Sequence, residues 1–248
     1  MAGLMMAFVC PSNAPADTPP VDTPSSERSP AANSEPFVKL RTSLQKRWPD
    51  NRTHRIVFHG HSVPAGYFKT PQVRRYDSYP TLWHRTFCQR YPHAVIDLDV
   101  TAIGGENSVR GAQRFERDVL SLNPDLVLID YALNDRGPGL VAAKAAWISM
   151  IRQCQARNIP VVLLTPTPDR RESIKDPQAP LAQHAAQIRL LAETHANVQL
   201  VDAYAEFRRR VTGGESVDAF LSQVNHPNRN GHEVVAKLIA QTLDEAGL

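Results

Sequence analysis

A hydroxyl, an amide and an imidazole stand in three short segments far apart in the chain. The segments are Phe58-His59-Gly60-His61-Ser62, Tyr131-Ala132-Leu133-Asn134-Asp135 and Asn225-His226-Pro227-Asn228. Together these residue types suit acyl transfer. A serine hydroxyl is a weak nucleophile until a base takes its proton during attack. His226, fixed by Pro227 just ahead of the last helical pattern, is the candidate base. Attack on a carbonyl creates an oxyanion that must be met by N–H donors. The backbone N–H groups of Ser62 and Gly105 and the side-chain amide of Asn134 are the candidates. None of the segments is diagnostic alone: Gly-x-Ser is common, and an Asn-Asp pair after a strand is ordinarily a helix cap or a turn.

Their placement in the chain adds the missing information. Ile56-Val57-Phe58, Val95 to Val100, Leu126 to Ile129, Val161 to Leu164 and Val198 to Val201 read as five strands. Helical patterns separate them, at about Leu82–Phe87, Val109–Leu120, Leu140–Arg157 and Leu181–Thr194, with a last one at about Gly231–Leu243. Strands that alternate with helices and read as unbroken apolar runs predict a parallel sheet covered on both faces. The fold class expected is therefore α/β, a three-layer α/β/α sandwich of flavodoxin-like type. Such sheets bind ligands outside the carboxyl ends of their strands. Ser62 follows the first strand, Gly104-Gly105 the second and Asn134 the third, so the candidate groups fall in that crevice.

Length and composition bound the rest. A chain of 248 residues with 42% hydrophobic content can build one sizeable core. No apolar run approaches the roughly 20 residues of a membrane span. The net charge of +3 is small, and Lys and Arg are scattered rather than striped, which argues against a nucleic-acid groove. Arg208-Arg209-Arg210 is a local cluster that reads as a solvated helix end. Cys10, Cys88 and Cys154 have no metal-ligand spacing and read as free thiols. Residues 1–36 are set apart from a domain over 37–248. Seven prolines from Pro11 to Pro36 alternate with small polar residues, a composition that cannot build a core. Gly3 to Cys10 followed by Ala14-Pro15-Ala16 is similar to an export signal, though no Lys or Arg precedes it. Export to the periplasm or medium and an unstructured cytoplasmic extension both remain open.

The ordered segments resemble the SGNH hydrolases, also called GDSL-like esterases and lipases. The family's Gly-Asp-Ser after strand one is matched by Gly60-His61-Ser62, and its glycine after strand two by Gly105. Its Gly-x-Asn-Asp is matched by Ala132-Leu133-Asn134-Asp135, and its Asp-x-x-His by Gln223-Val224-Asn225-His226. The resemblance spans roughly Arg55 to Leu243. It implies a Ser62–His226 centre with Ser62, Gly105 and Asn134 as the oxyanion hole, acting without metal or organic cofactor. It also implies ester substrates, frequently acetylated sugars or small acyl esters. Three positions depart from the pattern: His61 for Asp, Ala132 for Gly, and Gln223 for the triad acid. A glutamine carbonyl can orient an imidazole but carries no charge to stabilise imidazolium. The expectation is either a Ser62–His226 dyad oriented by Gln223 or an acid supplied by Asp218 or Asp202. His61 and Arg136 are further candidates to touch substrate, Arg136 favouring an anionic or polyhydroxylated one.

Two rival readings use the same residues. His59, His61 and His226 could form a three-imidazole zinc site that activates water. A degenerate hydrolase that only binds carbohydrate is the other, given Gln223 at the acid position. Trp83 and Trp147 fall on apolar helical faces and read as core rather than sugar platforms.

Overall fold

The computed structural model describes residues 1–3 and 35–248. The export-signal and Pro-rich readings, and Cys10, fall on residues outside the described ones. Five strands, β1 (Thr53–Gly60), β2 (Val95–Val100), β3 (Leu126–Asp130), β4 (Val161–Leu164) and β5 (Val198–Val201), form one sheet in the order β2-β1-β3-β4-β5. Every neighbouring pair is parallel. The sheet starts at its second position with β1, moves to the edge for β2, and crosses back past β1 for β3. The crevice between the carboxyl ends of β1 and β3 is thus the topological switch point where such sheets accept ligands.

The helices are α1 (Glu35–Leu44), α2 (Ser62–Ala65), α3 (Tyr79–Arg90), α4 (Ser108–Asp118), α5 (Gly139–Gln155), α6 (Pro180–Thr194), α7 (Ala203–Thr212) and α8 (Arg229–Glu245). Side chains alternate across a strand, and here both faces are apolar. Ile56, Phe58, Leu126, Leu128, Val162 and Leu164 point to one core with Phe37, Leu40, Trp83, Phe87, Phe207 and Ile239 from α1, α3, α7 and α8. Val57, Val127, Ile129, Val161 and Leu163 point to the other, with Phe115, Trp147, Met150, Ile151 and Cys154 from α4 and α5. α6 closes the β4–β5 end and reaches both clusters through Leu181 and Ile188. The sequence reading recovered β2, β4 and β5 at their residue bounds, and Trp83 and Trp147 lie in the core. It stopped short of α1, α2 and α7. Helix α1 begins at Glu35, inside the segment set apart as 1–36. The Arg208–Arg210 cluster ends α7, where Arg209 and Arg210 both pair with Glu206 one turn earlier. Among the described residues no helix is long and apolar enough to cross a membrane.

Two buried imidazoles give the fold an acid sensitivity. Burial, more than any neighbouring charge, pushes His59 and His232 down to about 4. The unfolded chain binds protons on these rings below their ordinary value of 6.5, and the folded chain does not. Stability contributed by the neutral rings is therefore present at neutral pH and lost as pH falls from 6.5 toward 4. Each ring accounts for about 3 kcal/mol over that window. Urea midpoints measured from pH 7 to pH 4 are expected to fall continuously; a flat profile between 6.5 and 4.5 would contradict this.

Candidate active site

The segment that carries Ser62, the candidate nucleophile, is built by a close approach of β1 to β3. Gly60 pairs in register with Asp130, and a Cβ at Gly60 would lie 2.4 Å from the Asp130 carbonyl oxygen and 2.7 Å from Pro64. Only glycine allows the chain to turn there. The turn leads directly into α2, whose first residue is Ser62. The helix is four residues long and is closed at both ends. The His61 side chain accepts the Val63 N–H at 3.1 Å, and Gly66, in the left-handed region at φ 91°, returns its N–H to the Ser62 and Val63 carbonyls. As the first residue of a helix, Ser62 has a backbone N–H that the helix itself cannot satisfy.

His226 arrives from the other end of the chain, in the loop that precedes α8. Asn228 caps α8, its side chain accepting the Gly231 N–H. Leu221 bridges to Pro227, and the Ser222 N–H donates to the His226 carbonyl. So fixed, the imidazole Nε2 lies 3.1 Å from Ser62 Oγ, and Nδ1 lies 3.3 Å from Gln223 Oε1. Both residues are almost fully buried. Burial lowers the His226 pKa; the Phe68 carbonyl works in the opposite direction, and His61 adds to the lowering. Gln223 Oε1 also accepts the Thr70 N–H at 2.9 Å, and the Ser222 hydroxyl donates to the Phe68 carbonyl at 2.8 Å. The loop after Ser62 and the loop that carries His226 are therefore tied together twice.

The loops after β2 and β3 form the opposite wall. Gly105 adopts φ 75° with open space around its Cα, a conformation that side chains rarely take. The Asn134 amide donates one N–H to the Glu106 carbonyl at 2.9 Å. A primary amide carries two N–H groups, so this contact orients the side chain and leaves a second donor. Asp135 joins the same two loops: it accepts the Ser108 N–H at 2.8 Å and the Trp147 indole N–H at 2.7 Å. Beneath Gly105, Glu106 receives Arg114 at 2.9 Å and the Tyr131 hydroxyl at 2.8 Å. Glu106, Arg114 and Asp135 escaped the sequence reading. Asp135 stood in the quoted Asn-Asp segment, but its partners lie 27 and 12 residues away.

Other expected residues are placed differently. Asp218 forms an exposed ion pair with Arg170, and Asp202 binds Arg189 and the Thr165 hydroxyl. The side chain beside the His226 Nδ1 is Gln223, and the Phe68 carbonyl also addresses the ring. Arg136 is committed to Asp169, Glu172 and the Leu133 carbonyl, so its guanidinium anchors the 169–180 passage instead of standing free over the crevice. His61 is buried against Asp130, 3.3 Å from its carboxylate. The three-imidazole reading also loses its geometry. The His59 ring packs under α4, edge-on to Phe115 and Tyr131, with Thr101 and Tyr131 as polar partners. Among the described residues no group of three or more His, Cys, Asp or Glu side chains could hold a metal ion.

The architecture is shared with solved esterases. Axe2, an acetylxylan esterase from Geobacillus stearothermophilus, superposes with a TM-score of 0.64 at 21% identity, covering 79% of this chain and 94% of that one. A two-domain esterase (CEX) active on acetylated mannans gives 0.67 at 21% identity, covering 85% of this chain and 53% of its own. No curated protein sequence matches the chain. Residues 58–234 match the GDSL-like lipase/acylhydrolase family, a span that runs from the end of β1 through the imidazole loop into α8. The chain is therefore an ester hydrolase belonging to the GDSL-like lipase/acylhydrolase family.

Proposed function

We propose that the protein removes short acyl groups, foremost acetyl, from carbohydrate esters by serine catalysis. The observation that carries the mechanism is the 3.1 Å approach of His226 Nε2 to Ser62 Oγ at the switch point of the sheet. Ser62 Oγ attacks the ester carbonyl carbon while His226 Nε2 takes its proton. The Ser62 and Gly105 N–H groups and the Asn134 amide hold the resulting oxyanion. Collapse breaks the bond to the sugar oxygen, which leaves with the proton from His226. Water, deprotonated by the same ring, then attacks the acyl-serine and releases the acid.

The small acyl group is supported by Tyr67. Its ring lies 5.8 Å, centroid to centroid, from the His226 ring. It also touches the opposite wall, since a Cβ at Gly104 would lie 2.9 Å from the ring. Tyr67 thus spans from the base to the oxyanion loop and limits the room beside the carbonyl. The carbohydrate portion is supported by the neighbours, which are described as acting on acetylated xylan and mannan. Acetate release from acetylated xylo- and manno-oligosaccharides is the direct test. Rapid release, with p-nitrophenyl acetate cleaved faster than the octanoate, is expected. Absence of turnover on every ester would leave a carbohydrate-binding protein. Tyr67→Ala is expected to raise the octanoate-to-acetate ratio of kcat/KM by about tenfold, the worth of one or two methylenes of binding.

Gln223 gives a second test of the centre. Gln223→Ala removes an orienting acceptor without removing charge, and a loss of about tenfold in kcat is expected. Gln223→Glu keeps both acceptor contacts and adds the missing charge. A carboxylate beside the ring favours imidazolium, so it is expected to raise the His226 pKa and move the acid limb of kcat/KM upward in pH. An unmoved limb would show that Gln223 does not address the ring in solution.

A further inference from the structure

We infer that His61 and Asp130 act as one positioning unit for Ser62, in which Asp130 holds the His61 imidazole in the tautomer that caps the nucleophile helix. The inference rests on Ser62 being the nucleophile and concerns what keeps it in place. Helix α2 has four residues, too few to persist without caps. Its amino-terminal cap is the His61 side chain, whose Nδ1 accepts the Val63 N–H at 3.1 Å. An imidazole can accept there only with Nδ1 bare and the proton on Nε2. The neighbour of Nε2 is Asp130 Oδ1, at 3.3 Å. Neither atom makes a well-aligned hydrogen bond, with the other or elsewhere, so the contact is one of proximity between two buried side chains. A buried N–H and a buried carboxylate oxygen left to face each other favour the tautomer that the cap requires.

Asp130 is itself tightly held. Its second oxygen accepts the Tyr79 hydroxyl at 2.9 Å, and the Tyr79 N–H donates to His232 Nδ1 at 3.2 Å. The Asp130 carbonyl also accepts the His61 N–H at 3.3 Å. One residue of β3 therefore grips His61 by main chain and side chain together. Aspartate is among the strongest amino-terminal capping residues, yet a carboxylate at 61 would meet the Asp130 carboxylate in a water-poor space. Two such charges repel strongly. Histidine can cap through one nitrogen while donating to Asp130 through the other. Asparagine can cap but donates only weakly placed N–H groups toward Asp130.

The experiment compares His61→Ala, His61→Asn, His61→Asp and His61→Asp/Asp130→Asn with the wild type. Readouts are kcat and KM on p-nitrophenyl acetate, the rate of Ser62 labelling by a fluorophosphonate, and circular dichroism. His61→Ala and His61→Asp are each expected to lose at least about tenfold in kcat, with KM within about twofold and labelling slowed in step. His61→Asn, which keeps an acceptor for Val63, is expected to stay within about threefold of the wild type. The double variant, which removes the repulsion, is expected to recover most of the loss of His61→Asp. Equal losses in His61→Asn and His61→Ala, a double variant no better than His61→Asp, or a change carried by KM would each overturn the proposal. If His61→Ala does not fold, the Asn, Asp and double variants still decide. Failure of the serine reading is separate: it would appear as a wild-type enzyme that turns over without labelling at Ser62.

Discussion

Ser62→Ala is expected to lower kcat on p-nitrophenyl acetate by about 10⁵- to 10⁶-fold, and His226→Ala by a similar factor. Groups that act as one unit fail together, so the double variant should be little worse than either single one. The structural cost is small. Ser62 Oγ has one side-chain partner, His226 Nε2, and losing a hydrogen bond of this kind costs about 1 kcal/mol. Thermal unfolding within a few degrees of the wild type, beside an inactive centre, is the expected pair of results. Substantial turnover in Ser62→Ala would remove the mechanism. The pH profile carries the same information with a defined sign. The base must be unprotonated to accept the serine proton, and burial holds its pKa below 6.5. The kcat/KM of the wild type should therefore be level at neutral pH and fall on acidification, with a midpoint under 6.5. A midpoint above 6.5 would mean that another group controls the limb.

Asn134→Ala is the second large effect. An oxyanion donor acts where charge develops, so its removal is expected to cost about 10²- to 10³-fold in kcat with KM nearly unchanged. The same side chain donates to the Glu106 carbonyl. Its loss leaves that acceptor unpaired and should lower stability by about 1 kcal/mol as well. Asn134→Asp sharpens the catalytic test. It keeps the size but replaces the donor with a negative charge beside the oxyanion, so kcat should fall further than in Asn134→Ala. A variant at Asn134 that changed KM alone would identify the amide as a substrate-binding group with no share in the transition state.

The sheet and the candidate pair Ser62 and His226 were readable because their signals are local. Short apolar runs bounded by turn residues, such as Val161-Val162-Leu163-Leu164, read as strands buried on both faces and are so, and Ser62 and His226 sit close to Gly60 and Pro227, which fix the backbone nearby. Helix α1 carried a usable signal as well. Phe37, Leu40 and Leu44 are spaced for one helical face and all are buried, but the neighbouring prolines drew the boundary past its first turn. What the linear pattern could not supply were partners. Gln223 and Asp218 lie three and eight positions before His226 and both stood as candidate partners; the fold gives Asp218 to Arg170 and brings Gln223 to the imidazole. Arg136 read as a free cation because its counter-ions, Asp169 and Glu172, lie 33 and 36 residues away. His61 read as a substrate contact because nothing in the local sequence announces that Asp130 lies against it.

The double tie between the Tyr67–Gln72 turn and the Ser222–His226 turn has a consequence for biosynthesis. Its two sides are separated by more than 150 positions, so a ribosome must release all of that intervening stretch and the second turn before they can join. Under the proposed mechanism the Ser62 alcohol has no proton acceptor until then, and a nascent chain that lacks the second turn should not cleave an ester. The appearance of turnover would thus report that the two extremities of the domain have found each other.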